Sequence, residues 1–330
     1  MAEPILRWAG GKRQYLDKIL HHLPPKMEFD AYFEPFFGGG SVFFSLEPSN
    51  GYISDVNPRL MNFYSQIQNS PSQVISKNKE LDREFEALVS QRQRTLDEYG
   101  DSNNMSKREL PDEPKSSETY RTEFYETKRE EFNDLRNSNG ECKDPLREAV
   151  LFLFLNRTCW NGLYRSNQEG DFNVPLGRQW TKIAFLENRI HEAHRVLSST
   201  TISSGDFAQV LELPSQNDLV FLDPPYPAGP NEDGFQDYHP AGFGLDRQKE
   251  LAEFALKLDS QGVYVMITNA PSEAVMNIYE ETGVLDRFEI DRLEGSRMIN
   301  SVSENRTDIG ETDVILTNYD QTGSAGVFNF

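Results

Sequence analysis

The chain has 330 residues, enough for one large domain or two modest ones at about 150 residues each. Its 53 acidic and 33 basic residues give a net charge of −20, a mean that by itself argues against a nucleic-acid partner unless the cations are clustered where a duplex would lie. No run approaches the about 18 to 20 apolar residues of a membrane span, no secretory pattern opens the chain, and Cys142 and Cys159 suit neither a disulfide framework nor a zinc site, so a cytoplasmic protein with reduced thiols, no metal and no membrane attachment is expected.

Short apolar runs bounded by turn residues alternate with longer amphipathic segments, the pattern of an α/β sheet. Gln14 to Leu23 reads as a helix, Ala31 to Phe36 and Tyr52 to Val56 as strands, and Pro58 to Gln68 as a helix. From 61 to 180 helical stretches follow one another without a convincing strand, which marks an inserted helical domain between two parts, 1–60 and 181–330, of one catalytic domain. Within the insert, 100–118 is polar, holds two prolines and lacks apolar periodicity, so a mobile loop is expected there. Pro145 to Leu155 reads as a helix with Leu146, Val150, Leu153 and Phe154 on its buried face. Phe185 to Leu197 and Asp246 to Asp259 read as helices; Thr200 to Ser203, Leu219 to Asp223, Val263 to Asn269 and Val314 to Tyr319 read as strands.

The string FEPFFGGGSVFF, Phe33 to Phe44, passes from a strand through Gly38, Gly39 and Gly40 into a helix. Glycines there permit a tight turn and a close ligand approach, although the triplet alone fits a plain structural turn equally well. Asp55, at the end of the next strand, can accept hydrogen bonds from ribose hydroxyls. Upstream, LRWAGGK places Trp8 and Lys12 around another glycine pair; the phosphate-loop spacing is absent, since Arg13 follows Lys12 where Ser or Thr is needed, which argues against an ATPase.

Asp223, Pro224, Pro225 and Tyr226 follow a strongly apolar strand and so sit at its carboxyl end, where α/β sheets place ligands. The exocyclic amine of adenine is a poor nucleophile because its lone pair is delocalised into the ring. A carboxylate at Asp223 and the Pro224 carbonyl supply two acceptors for the two amine hydrogens, localising the lone pair toward a donor. Tyr226 offers a ring face to a base rotated out of a duplex. A sulfonium methyl donor needs positioning rather than covalent help, so neither a cysteine nucleophile nor a metal is required.

The segment that carries Arg147, Arg157, Arg165, Arg178, Arg189 and Arg195 contains the loop NRTCWNGLYRSNQEGDFNVPLGR, 156–178. Arg165 can fork onto guanine O6 and N7, Asn161 and Asn167 can serve bases or phosphates, and Leu163 and Pro175 can meet a thymine methyl. Arg157 and Arg178 suit phosphate contacts. Taken alone, the loop reads sooner as a solvated surface loop with structural Asn and Gly turns.

LRWAGGK, FEPFFGGGSVF, ISDVN, DPLREAVLFLFLNR, NGLYR, GDFNVPLGR and DPPY occur in the order found in Dam-like adenine-N6 methyltransferases of the alpha arrangement, and the chain resembles that family from about residue 5 to residue 320, least across 100–118. The resemblance implies a Rossmann-like S-adenosylmethionine-dependent methyltransferase sheet with an inserted helical target-recognition domain. It implies that Trp8, Lys12, Asp55 and Asp223 contact S-adenosylmethionine, that Glu34, Pro35, Phe36 and Gly38 to Gly40 form the cofactor loop, and that Asp206, in SSGDF, holds the cofactor adenine. It also implies double-stranded DNA as partner and GATC as target, with Arg165 on the first guanine and Leu163 and Pro175 near the thymine. Thr158, Cys159 and Trp160 depart from the enterobacterial pattern, which bears on the outer bases of the site.

Rival readings are an RNA or protein methyltransferase and a catalytically silent DNA-binding protein. Glutamine-modifying relatives carry Asn at the place of Asp223 and lack such an insert, and a silent protein would have lost Asp223 or the glycine loop. Cytosine-C5 methylation needs an attacking thiolate, and neither cysteine follows a proline. A monomer or weak dimer is expected, and the acidic composition suits a salt-rich cytoplasm and hence a halophilic host.

Overall fold

In the computed structural model the described residues are 2–24, 28–100, 117–137, 139–167, 169–178, 181–226, 243–293 and 313–320, with no side chain described between 88 and 118. The loop expected at 100–118 thus falls, over 101–116, outside the described residues. After a 3-10 turn at Lys12–Tyr15 come α1 (Leu16–His22), β1 (Tyr32–Glu34), α2 (Ser41–Leu46), β2 (Gly51–Asp55) and α3 (Pro58–Asn69). Next are α4 (Pro71–Gly100), α5 (Ser117–Asp134), α6 (Pro145–Thr158), α7 (Glu187–Leu197), β3 (Thr200–Ser204) and α8 (Phe207–Val210). The chain continues with β4 (Leu219–Leu222), α9 (Leu245–Ser260), β5 (Tyr264–Asn269), α10 (Glu273–Thr282), β6 (Glu289–Leu293) and β7 (Asp313–Thr317).

The strands form one sheet in the order β3-β2-β1-β4-β5-β7-β6. The pairs from β3 through β5 are parallel, and β7 runs against both β5 and β6. Side chains alternate across the sheet: Leu219 and Phe221 of β4 join the apolar cluster on one face, while Val220 and Leu222 join that on the other. Each fully buried Leu or Phe of this kind contributes about 1.5 to 3 kcal/mol by leaving water. Because β1 leads outward to β2 and β3, and the chain then returns to place β4 on the other side of β1, the order reverses between β1 and β4. Such a switch point opens a crevice at the carboxyl ends of the strands.

Caps fix several helix starts. Asn57 accepts from the amides of Arg59 and Leu60 with Pro58 in the first turn, and Asp144 accepts from Arg147 with Pro145 behind it. The single buried face expected for α6 needs correction: Leu146 is only half-buried, whereas every residue from Glu148 to Thr158 is buried. The helix is surrounded, packing on α3, α4 and α5, as a helix apolar on most sides must be. Arg136 neutralises its one buried acid, Glu148, through Nε at 2.6 Å and a second nitrogen at 2.7 Å. α3 runs across residue 60, and its Phe63 stacks on Phe152 of α6 with ring centroids 5.6 Å apart. One apolar cluster therefore joins a sheet face to the helices that follow it.

Candidate active site

The carboxyl ends of β1, β2 and β4 open on a cleft of 530 Å³. It is lined by Trp8, Lys12, Glu34, Pro35, Phe36, Gly38, Gly39, Gly40, Asp55, Asp206, Asp223, Pro224, Pro225 and Tyr226, so every residue assigned from sequence to cofactor or chemistry is brought to one place. The turn after β1 is built for closeness. Gly38 and Gly40 take left-handed φ of 49° and 68°. A Cβ at Gly38 would stand 2.8 Å from the Trp8 indole, and one at Gly40 would stand 2.5 Å from the Phe37 ring. These glycines are thus demanded by packing as much as by any ligand. Asp55 secures the turn: its Oδ2 accepts from the Gly38 amide at 3.0 Å and its Oδ1 from the Asn57 amide at 2.9 Å. A carboxylate has about four acceptor positions, more than two amides fill.

At the end of β4, Asp223 is held by neighbours from two other elements. Lys12 Nζ lies 2.9 Å from its Oδ1, and the Thr268 hydroxyl, from β5, donates to that same oxygen at 2.9 Å. Both of these contacts fall on Oδ1. Burial raises the Asp223 carboxyl above its ordinary range, opposed first by the Lys12 ammonium. Lys12 also donates to the Tyr226 hydroxyl at 2.6 Å, and that hydroxyl donates to Asp313 Oδ2 at 2.7 Å. Asp313 and Thr268 were missed from sequence, because each stands at the end of an apolar run where polar residues are ordinary and neither belongs to a motif.

Glu34, at the end of β1, is buried and accepts the Tyr32 hydroxyl at 2.7 Å. Desolvation, aided by nearby Asp223, pushes its carboxyl up to about 8 despite that bond. At the far end Asp206 caps α8 through the Ala208 amide at 2.9 Å and forms an ion pair with Arg247. Phe36, Phe207 and Phe243 pack there with centroids 5.3 to 5.7 Å apart, and the Arg247 guanidinium lies 4.4 Å from the Phe207 ring centre. Phe207, Phe243 and Arg247 were also missed; only Asp206 carried a motif.

The segment 159–178 is an antiparallel excursion rather than an open loop. The Trp160 amide bonds to the Pro175 carbonyl at 2.9 Å, Asn173 to Arg165 at 3.1 Å, and Asn167 to Asp171 at 2.9 Å. Tyr164, Phe172 and Val174 point into the core. Asn133 of α5 clamps Phe172 both ways, donating to its carbonyl at 3.1 Å and accepting from its amide at 2.9 Å. Asn161, Arg165, Pro175 and Arg178 are exposed, and Leu163 is half-buried. Arg165 donates to Asn173 at 2.9 Å, and Arg178 lies 5.6 Å from the ring of Trp160, which is 44% exposed. Asn167 turns its Oδ1 inward to the Asp171 amide at 2.8 Å, closing the hairpin tip.

Arg157 requires correction. Its side chain is 3% exposed, pairs with Asp82 at 2.9 Å and donates to Asn78 at 3.1 Å and to the Thr181 carbonyl, which makes it a buried tie from α6 to α4 and not a phosphate contact. Sequence could not separate it from Arg178, since both are arginines beside polar residues. Exposed Arg7, whose aliphatic carbons lie where a Gly162 side chain would go, was also missed. Cys159 is buried and its thiol pushed up to about 12, and burial raises Cys142 as well, so neither offers a thiolate near neutrality.

Strand order, the reversed β7 and a cleft at the switch point place the protein among the S-adenosylmethionine-dependent methyltransferase folds. Within them, the profile of the D12 class N6 adenine-specific DNA methyltransferases matches residues 8–295, and the chain belongs to that family. It is 33% identical to the Type II methyltransferase M.MjaIII of Methanocaldococcus jannaschii over 96% of this chain and 99% of that relative. It is 30% identical to the Type II methyltransferase M1.LlaDCHI of Lactococcus lactis subsp. cremoris over 96% and 95%. With a DNA adenine methylase of Escherichia coli (strain K12) it shares 32% identity over 80% of each chain. Membership bears out the Dam-like resemblance and the α/β methyltransferase fold, and implies S-adenosylmethionine as methyl donor and DNA as substrate. Among the described residues no helix is long and apolar enough to cross a membrane.

Proposed function

We propose that the protein methylates N6 of an adenine extruded from double-stranded DNA, at GATC, with residues 61–180 supplying the target-recognition surface. The observation that carries the chemistry is Asp223: it lines the cleft next to Pro224, and Lys12 and Thr268 both engage its Oδ1, so Oδ2 would serve as one acceptor and the Pro224 carbonyl as the other. Those two acceptors would draw the hydrogens of the target amine and direct its lone pair, while Tyr226 would support the base by stacking.

The cleft fits the methyl donor. The left-handed glycine turn admits a ligand against the backbone, Asp55 brings a carboxylate to the cleft for ribose hydroxyls, and the Phe36, Phe207 and Phe243 cluster beside Asp206 suits an adenine ring. When bound, the cofactor supplies an electrophilic methyl on a sulfonium. Trp8 would flank it at the glycine turn and Lys12 would keep Asp223 oriented. The DNA-reading residues are Arg165 for a guanine, Leu163 and Pro175 for the thymine, Asn161 for bases or phosphates, and Arg178 for phosphate.

Sequencing DNA from cells that express the protein, with detection of N6-methyladenine, tests this reading. Methylation at GATC is expected; methylation in another context would overturn the target, and none in any context would overturn the activity. Asp223→Ala should remain folded and transfer no methyl, and retained activity would contradict the role of Asp223.

A further inference from the structure

Asp313 opens β7, and because β7 runs against β5, its first residue arrives at the sheet edge where the parallel strands end. Its side chain is 3% exposed, with Oδ2 2.7 Å from the Tyr226 hydroxyl and 3.7 Å from Lys12 Nζ. Lys12 Nζ is itself 2.6 Å from that hydroxyl and 2.9 Å from Asp223 Oδ1. The direction of each hydrogen follows from valence. An ammonium only donates, so the Tyr226 oxygen accepts from Lys12, and its single hydrogen has to go to another acceptor, which is Asp313.

We propose that Asp313 is a positioning residue for methyl transfer, acting through Tyr226. Conjugation keeps a phenolic hydrogen in the plane of its ring, so an acceptor anchored in a buried strand fixes the plane of the Tyr226 ring on which the target base would rest. The same bond turns the phenolic hydrogen away from Asp223, leaving Oδ2 of that residue to the amine. The inference rests on the reading of Asp223 and Tyr226 as the edge that grips the base.

The test is a double-mutant cycle on the full chain, measuring kcat, the KM for S-adenosylmethionine, and the fluorescence of a duplex with 2-aminopurine at the target position. Asp313→Ala is expected to lower kcat at least about tenfold while the cofactor KM stays within about threefold, and to reduce the fluorescence change on binding. In a Tyr226→Phe background the same substitution should cost nothing further. Asp313→Asn, which keeps the shape and a side-chain acceptor, should recover most of kcat and covers the case in which the alanine variant does not fold. Wild-type kcat in Asp313→Ala, an equal loss in both backgrounds, or an asparagine variant as impaired as the alanine one would overturn the role of Asp313. Wild-type protein that methylates no adenine duplex would instead remove the reading of the site, and this inference with it.

Discussion

The indole of Trp8 stacks on the ring of Tyr164 at 19°, with centroids 5.6 Å apart, and Tyr164 in turn stacks on Phe152 at 5.3 Å. The same indole closes over Gly38 and Gly39. One side chain therefore bears on the cofactor turn and on the hairpin residue that directly precedes Arg165. Tyr164→Ala would remove the middle of this stack from a well-packed core, costing about 3 to 5 kcal/mol of stability. It should also weaken binding of S-adenosylhomocysteine, because Trp8 loses one of its two stacking partners and keeps only Phe152 at 6.4 Å, whereas Tyr164→Phe should retain both. Melting curves and calorimetric titration read the two effects; an alanine variant that binds like wild type would show that the turn does not depend on the stack.

Gly38→Ala tests the turn from its other side. The substitution places a methyl 2.8 Å from the Trp8 indole at a φ of 49°, where an L side chain is disfavoured by about 1 to 2 kcal/mol before any clash. The indole or the turn must shift, so cofactor affinity should fall at least about tenfold with a modest loss of melting temperature. Equal affinity in the variant would mean that the turn has room which these distances deny it.

Three arginines of the segment 156–178 should fail in three different ways. Arg165→Ala should cost about 1 to 3 kcal/mol of discrimination at one guanine, and Arg178→Ala should weaken binding to all sequences alike and lower the salt slope by about one. Arg157→Ala would instead leave Asp82 buried without its partner, a loss of about 3 to 5 kcal/mol in stability with no specific signature on DNA. Binding isotherms on matched and mismatched duplexes at several salt concentrations, beside melting curves, separate the three. A stable Arg157 variant with a reduced salt slope would return that residue to the surface.

These outcomes mark where sequence was informative. The parallel strands were legible because β4 and β5, buried on both faces, leave uninterrupted apolar runs. β6 was not, because four of its five residues are exposed at the sheet edge and read as loop. α10 was passed over although Ser272 caps its start and Gly283 ends it at a φ of 84°. The cleft was legible wherever a motif follows a strand, as at Gly38, Asp55 and Asp223. Thr268 and Asp313 were not, since their relevance comes from β5 beside β4 and from β7 beyond it, a sheet order that local pattern does not encode. Arg157 shows the converse: an arginine beside polar loop residues reads as surface, and only the tertiary position of α6 buries it.

Glu34 makes stability depend on pH in an unusual sense. Its carboxyl is raised from 4.5 to about 8, chiefly by burial, so the folded chain keeps a proton that the unfolded chain releases near 4.5. Between those values the folded state binds more protons, and stability must fall as pH rises: the contribution is full below 4.5 and lost through about 8. At about 1.4 kcal/mol per unit this amounts to a few kcal/mol across the window, and Asp223, also raised, adds in the same direction. Glu34→Gln replaces the neutral acid by a neutral amide of the same shape, which can still accept the Tyr32 hydroxyl. The variant should therefore match wild type near pH 5, exceed it at pH 8, and show a flatter melting temperature between them. If its melting profile keeps the full wild-type slope, the proton is not held at Glu34, and the cleft already carries that negative charge at neutral pH.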